Sequence, residues 1–249
     1  MIDVEKHPPP TVGTEAKPTT GVLATPSPAI QVAGIGRRDP QSDGWLIRDI
    51  RFDLNFGDRL GVLGPSGAGK TVLMRAIAML DPLDAGSIQW QGRAVRGEAV
   101  PSYRKQVIYL HQRSALWDGT VEDNLRYPYT LKTHAGEPFD REKSVELLHA
   151  LGRAPAFLAK SSRDLSGGEA QIVALIRAVQ LEPVVLLLDE PTASLDPGTA
   201  RAVEGLLDRW LTARGNERAL VWVSHDWNQT LRVTRRRLTL RSGQLEPEP

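Results

Sequence analysis

Between an apolar run at 60–63 and a helical pattern at 72–80 lies the octapeptide Gly64-Pro65-Ser66-Gly67-Ala68-Gly69-Lys70-Thr71. It fits G-x-x-x-x-G-K-[ST] in the strand–loop–helix setting that the pattern requires. Its glycines let the backbone curl until several N–H groups point inward at phosphate oxygens. The helix that opens at the loop adds the positive end of its dipole. Lys70 supplies a mobile cation for the β- and γ-phosphates of a nucleotide, and the Thr71 hydroxyl is placed to ligate magnesium.

The flanking pattern is that of an α/β chain. Residues 50–56 alternate apolar and polar, the period of a half-buried strand. Further strands are expected at 86–90, 107–110, 184–188 and 219–223, and a closing hairpin over 238–245 turns at Ser242-Gly243. Helices are expected at 140–151, 169–181 and 199–211, and Thr120-Val121-Glu122-Asp123 has the form of a capping box opening another. Strands alternate with helices at both ends while the middle is mainly helical, which predicts an α/β core with a helical insertion near 112–175. Residues 1–29 hold six of the 18 prolines and little to bury, so a disordered tail is expected there.

Composition narrows the chemistry. The chain has no cysteine, which excludes disulfides, thiolate metal sites and cysteine nucleophiles. Its five histidines are too far apart to form an H-x-x-x-H pair. With 31 basic and 30 acidic residues the net charge is +1, so a general polyanion binder is not expected and no nucleic-acid partner is called for. The apolar runs are far short of the roughly 18–20 residues of a membrane span, and the first residues show no secretory or organellar signal, so the expected location is the cytoplasm.

Two more segments carry chemistry. The apolar run at 184–188 ends in Asp189-Glu190, two carboxylates at the end of a strand where an α/β sheet keeps its ligand crevice. Asp189 is suited to hold magnesium, and Glu190 to orient and polarise an attacking water as general base. Leu165-Ser166-Gly167-Gly168-Glu169 places a second glycine-bearing turn before a helix, a second candidate phosphate cradle. One nucleotide does not need two such cradles from one chain.

With both cradles in hand, the chain resembles the nucleotide-binding subunit of an ABC (ATP-binding cassette) transporter over residues 30–245. The resemblance implies a P-loop NTPase fold with a RecA-like core (30–111 and 176–249), an antiparallel β subdomain and an inserted helical subdomain (112–175). It implies ATP and Mg²⁺ as cofactors, and a two-fold sandwich in which Ser166, Gly167, Gly168 and Glu169 of one copy close over the ATP held by the other. Gln112 resembles the Q-loop glutamine that meets magnesium and the attacking water. Ser194-Leu195-Asp196 resembles the D-loop that crosses between copies, and His225 resembles the switch histidine at the γ-phosphate. The implied catalytic set is Glu190, His225, Gln112 and Lys70, with Thr71, Gln112 and Asp189 toward the metal. This chain departs from the family where an aromatic residue would stack on adenine: Arg37 or Arg38 stands near that place, and a guanidinium plane can stack on a base. It also has Glu169 where glutamine is commoner, and Ile172-Val173 after Gln171 where arginine is frequent.

The run from Tyr103 to Val107, the segment from Leu116 to Pro128 and the Glu169-x-Gln171 signature are similar to the FetA (YbbL) type of ATPase. That type pairs with a FetB (YbbM) type permease and is linked to iron export, so the resemblance implies an integral membrane partner and a peripheral place on the inner face of the cell membrane. A soluble regulatory ATPase acting on nucleic acid or ribosomes is the alternative from another class. A P-loop small-molecule kinase is a second, but it has no use for Ser166-Gly167-Gly168.

Overall fold

The computed structural model describes residues 28–247. Most of the expected tail lies outside them; Ala29 is fully buried and its carbonyl accepts from Gln91 N, so the packed chain begins before residue 30.

Two sheets organise the chain. In the first, β1 (Ile30–Arg38), β2 (Trp45–Leu54), β4 (Ala85–Trp90) and the short β5 (Arg93–Ala94) form an antiparallel sheet in the order β2-β1-β4-β5. The second has the order β10-β9-β3-β8-β7-β6. It contains β3 (Arg59–Leu63), β6 (Val107–Leu110), β7 (Val185–Asp189), β8 (Ala219–Val223), β9 (Arg236–Arg241) and β10 (Gln244–Leu245). Five of these strands run parallel, and β10 returns antiparallel to β9 to close the expected hairpin.

Strand β7 shows why its sequence is apolar without interruption. Val185 and Leu187 point into the core shared with the antiparallel sheet, whereas Leu186 and Leu188 point into the core beneath the helices. Both faces are covered, as parallel sheets require. Each fully buried Leu there contributes roughly 1.5–3 kcal/mol. Strand β8 repeats the pattern, with Val221 on the first face and Leu220 and Trp222 on the second.

Helix α1 (Lys70–Ile77) follows the glycine-rich loop directly, and α2 (Ala99–Gln106) precedes β6. Between β6 and β7 the chain is helical: α3 (Val121–Arg126), α4 (Arg141–Ala150) and α5 (Gly167–Val179), joined by 3-10 turns. Thr120 caps α3 in the expected capping box with Asp123. Helix α6 (Pro197–Thr212) follows β7, and α7 (Trp227–Val233) follows β8. Because β3, β6, β7 and β8 run the same way, the loops after them emerge along one edge of the sheet. That edge is where a doubly wound sheet binds ligands.

Candidate active site

The loop after β3 is held by its glycines. Gly64 has φ +143°, and a Cβ there would lie 2.0 Å from the Leu240 carbonyl oxygen of β9, so no side chain fits. A Cβ on Gly67 would meet only open space, and Gly67 lines the cleft described below. Lys70 is folded back on this loop: its Nζ donates to the carbonyls of Gly64 at 2.7 Å and Pro65 at 2.9 Å. Burial lowers the Lys70 pKa, opposed by the charges of Glu190 and Asp189. An incoming phosphate replaces weak carbonyl acceptors with full negative charge, a stronger partner for the ammonium.

Strand β7 delivers Asp189 to the same place. Its Oδ2 accepts from Thr71 Oγ1 at 2.8 Å and from Tyr109 Oη at 3.0 Å. Thr71, Asp189 and the nearby Gln112 are all oxygen donors. That set suits Mg²⁺, which takes one or two carboxylates and completes its shell with phosphates and water. Among the described residues no group of three or more His, Asp or Glu side chains forms a self-sufficient metal cage.

Glu190 follows with a left-handed backbone, φ 51°, uncommon for a non-glycine residue. Its Oε1 is buried without a hydrogen-bond partner, and His225 Nε2 stands 3.4 Å away outside hydrogen-bonding geometry. Burial raises the Glu190 pKa; His225 opposes the rise and Asp189 adds to it. A buried carboxylate with a free lone pair beside a phosphate cradle is the arrangement of a base waiting for water.

These groups line one cleft of about 370 Å³, bounded by Ser66, Gly67, Gly69, Lys70, Thr71, Gln112, Asp189, Glu190 and His225, with Leu46 of β2 at its rim. Gly64, Pro65 and Ala68 form the outer frame of the loop. Other expected residues are elsewhere. Arg37 does not line the cleft and pairs with Asp84 at 2.7 Å, and Arg38 lies over the Trp45 ring, 4.7 Å from its centroid. Ser166 caps α5 in a capping box with Glu169, which Lys160 holds at 2.9 Å. Ser166, Gly167, Gly168 and Glu169 do not line the cleft, and Asp196 instead caps α6 through the amides of Gly198 and Thr199. Tyr109 and Leu46 were not expected. Their signals are weak, since an aromatic residue or a leucine in a strand reads as core.

A family model described as ABC transporter matches residues 47–193, more than half of the chain. This protein belongs to the ABC transporter family. The match includes the phosphate loop, the signature turn and the Asp189-Glu190 pair. Among relatives, Protein STAR1 of Oryza sativa subsp. japonica is 37% identical over 86% of this chain, and the chain spans 60% of that protein's length. The probable iron export ATP-binding protein FetA of Escherichia coli (strain K12) is 33% identical over 80% of this chain and 86% of its own. A dimeric post-hydrolysis structure of the ATP-binding cassette MJ0796, bound to ADP and Pi, shares the fold with a TM-score of 0.79. It is 22% identical and covers 88% of this chain and 97% of that one. The ABC protein is thus an ATP-binding subunit and an ATPase with the P-loop NTPase fold. No helix among the described residues of this ABC subunit is long and apolar enough to cross a membrane.

Proposed function

We propose that two copies of this subunit close head to tail around two MgATP molecules and power a separate integral membrane permease. The single observation that carries this reading is the division of the site. One chain gathers Lys70, Thr71, Asp189, Glu190 and His225 in one cleft, while its Ser166-Gly167-Gly168 turn lies outside it. In the sandwich, Ser166 and Gly168 reach the partner copy's γ-phosphate, and Asp196 lies where the copies meet. Thr71 and Asp189, with Gln112 nearby, would hold magnesium, which when bound would offset charge on the phosphates. Glu190 and His225 orient water for in-line attack, while Lys70 and the loop amides stabilise the phosphoryl oxygens. Loss of the γ-phosphate removes the contacts that hold the copies closed, and Gln112 with the loop after it carries the opening to the membrane partner.

A groove of about 430 Å³ lined by Tyr109, Trp117, Leu131 and Arg177 supports the docking of that partner, because Trp117 and Leu131 leave 49% and 44% of their surface exposed on its rim. The occupant we favour is a cytoplasmic helix of a FetB (YbbM) type permease, which places the subunit on the inner face of the membrane. Iron, or a similar metal, leaving the cell is the transport reading favoured by the FetA relative.

Purification in detergent tests the class. A hydrophobic partner retained with the subunit, together with ATP-driven export of ⁵⁵Fe from cells carrying both, is the expected result. ATPase stimulation by RNA or DNA, with no membrane partner retained, overturns it in favour of a soluble regulatory ATPase.

A further inference from the structure

Helix α5 carries a buried amide that neither nucleotide contact nor water activation requires. Gln171 is only 2% exposed. Its Nε2 donates to the Glu190 carbonyl at 2.7 Å, and its Oε1 accepts from Ser194 N at 3.1 Å. One side chain therefore ties two points of the loop 190–196 to the helix that begins at the signature turn.

The two ends of this tie matter for different reasons. Glu190 has its amide fixed by β8, where it donates to the Val223 carbonyl at 3.0 Å. Its carbonyl is fixed by Gln171, with a longer bond of 3.3 Å from Ala193 N. A non-glycine residue at positive φ persists only where its surroundings hold it, and the direction of the Glu190 carboxylate depends on that backbone. At the other end, Gly168 lies one turn back on the same face of α5. A Cβ on Gly168 would meet the Ser194 carbonyl oxygen at 2.6 Å, so the first turn of α5 rests directly on this loop.

We propose that Gln171 is a positioning residue that makes the aim of Glu190 depend on the seat of α5. This rests on the two-copy site proposed above. When Ser166-Gly168 engages the partner copy's nucleotide, α5 is held at its N-terminus, and Gln171 passes that placement to the base of its own cleft. Hydrolysis in one cleft is thereby linked to nucleotide in the other through a strut inside each chain.

Two replacements and a matched control test this in the full-length protein. Gln171→Met keeps length and burial but loses both bonds. Gln171→Glu keeps an acceptor for Ser194 N, but once ionised cannot donate to the Glu190 carbonyl. Gln180→Met is the control: Gln180, also buried on the end of α5, donates to the Leu125 carbonyl and accepts from Ser144 Oγ, away from the cleft. Equilibrium titration with a fluorescent ATP analogue, steady-state kcat and thermal melting are measured on each. Both Gln171 variants are expected to hold nucleotide affinity within about threefold while kcat falls roughly 10–100-fold, the scale of a misplaced catalytic group. Gln180→Met is expected to lose thermal stability like Gln171→Met and keep its kcat. Wild-type kcat in Gln171→Met overturns the proposal, as does an equal kcat loss in Gln180→Met. If Gln171→Met does not fold, the kcat of Gln171→Glu decides in the same way. Absence of turnover in the wild-type protein itself counts instead against the ATPase site.

Discussion

At the residue scale, the site is a set of charges kept in a tense balance. Glu190 is buried beside Asp189, and burial is the larger cause of its raised pKa. A base must be ionised to take a proton, and a raised pKa means that protonation sets in earlier as pH falls. The acid limb of kcat/KM for ATP hydrolysis is therefore expected above the ordinary carboxylate value of 4.5, and a pH–rate profile checks it. Glu190→Gln removes the proposed base and leaves Lys70, Thr71 and the loop amides in place. It is expected to bind ATP with wild-type affinity and to hydrolyse it about 10²–10⁴-fold more slowly; single-turnover kinetics measure this, and full turnover refutes the role. Most of these residues were legible because their chemistry is carried by spacing: G-x-x-x-x-G-K-T needs no fold to be recognised. The ion pair of Arg37 is not legible in sequence, because Asp84, which accepts from its guanidinium, lies 47 positions away. Tyr109 was missed for a related reason, since its hydroxyl finds Asp189 only once β6 and β7 pair in register.

At the scale of elements, capping chemistry and two-sided burial gave the readable signals. The parallel strand β8 has the limits expected from its apolar run, and β7 is shifted by a single residue. Helix α5 begins two residues earlier than expected, at Gly167, because the Ser166–Glu169 capping box draws two glycines into its first turn. Strand β1 was not legible as a strand. Gly34 and register shifts after Ala33 and Ile35 break its alternation, so no period of two survives. Helices α2 and α7 are eight and seven residues long, too short for a helical period to stand out. The α5 cap also yields a stability prediction. Lys160 and the Ser166 amide hold the Glu169 carboxyl below its usual range. A lowered folded-state pKa contributes stability that is present above the unfolded value of 4.5 and lost as pH falls through the folded one. Glu169→Gln keeps the cap geometry but loses the charge, so it is expected to cost about 0.3–1 kcal/mol at neutral pH, a range that allows for solvent screening of this partly buried pair. Melting curves across pH check it. The gap between variant and wild type is expected to close on acidification below 4.5, and a gap that persists in acid would assign the loss to packing instead.

At the scale of the whole molecule, the decisive relation is between two faces that the chain holds apart. The parallel sheet gathers the phosphate loop, both carboxylates and His225 on one edge, and the helical region between β6 and β7 carries the signature turn away from that cleft. If each hydrolytic centre takes its loop from one copy and its signature from the other, two defects on different chains need not fall in the same centre. Lys70→Ala removes the phosphate cation, and Ser166→Arg obstructs the signature turn with a bulky side chain. Each variant alone is expected to be inactive, because both centres of its homodimer carry the defect. In a mixed dimer, one centre collects both defects, while the other pairs an intact loop with an intact signature. Mixing the two inactive proteins is therefore expected to restore ATP turnover, up to roughly one quarter of the wild-type rate for random pairing with independent centres. The restored rate should also rise with protein concentration, as the assembly of two chains demands. Chains that hydrolyse ATP singly have no route to such rescue, so a mixture as inactive as its components, despite detectable mixed dimers, would place the complete centre within one copy.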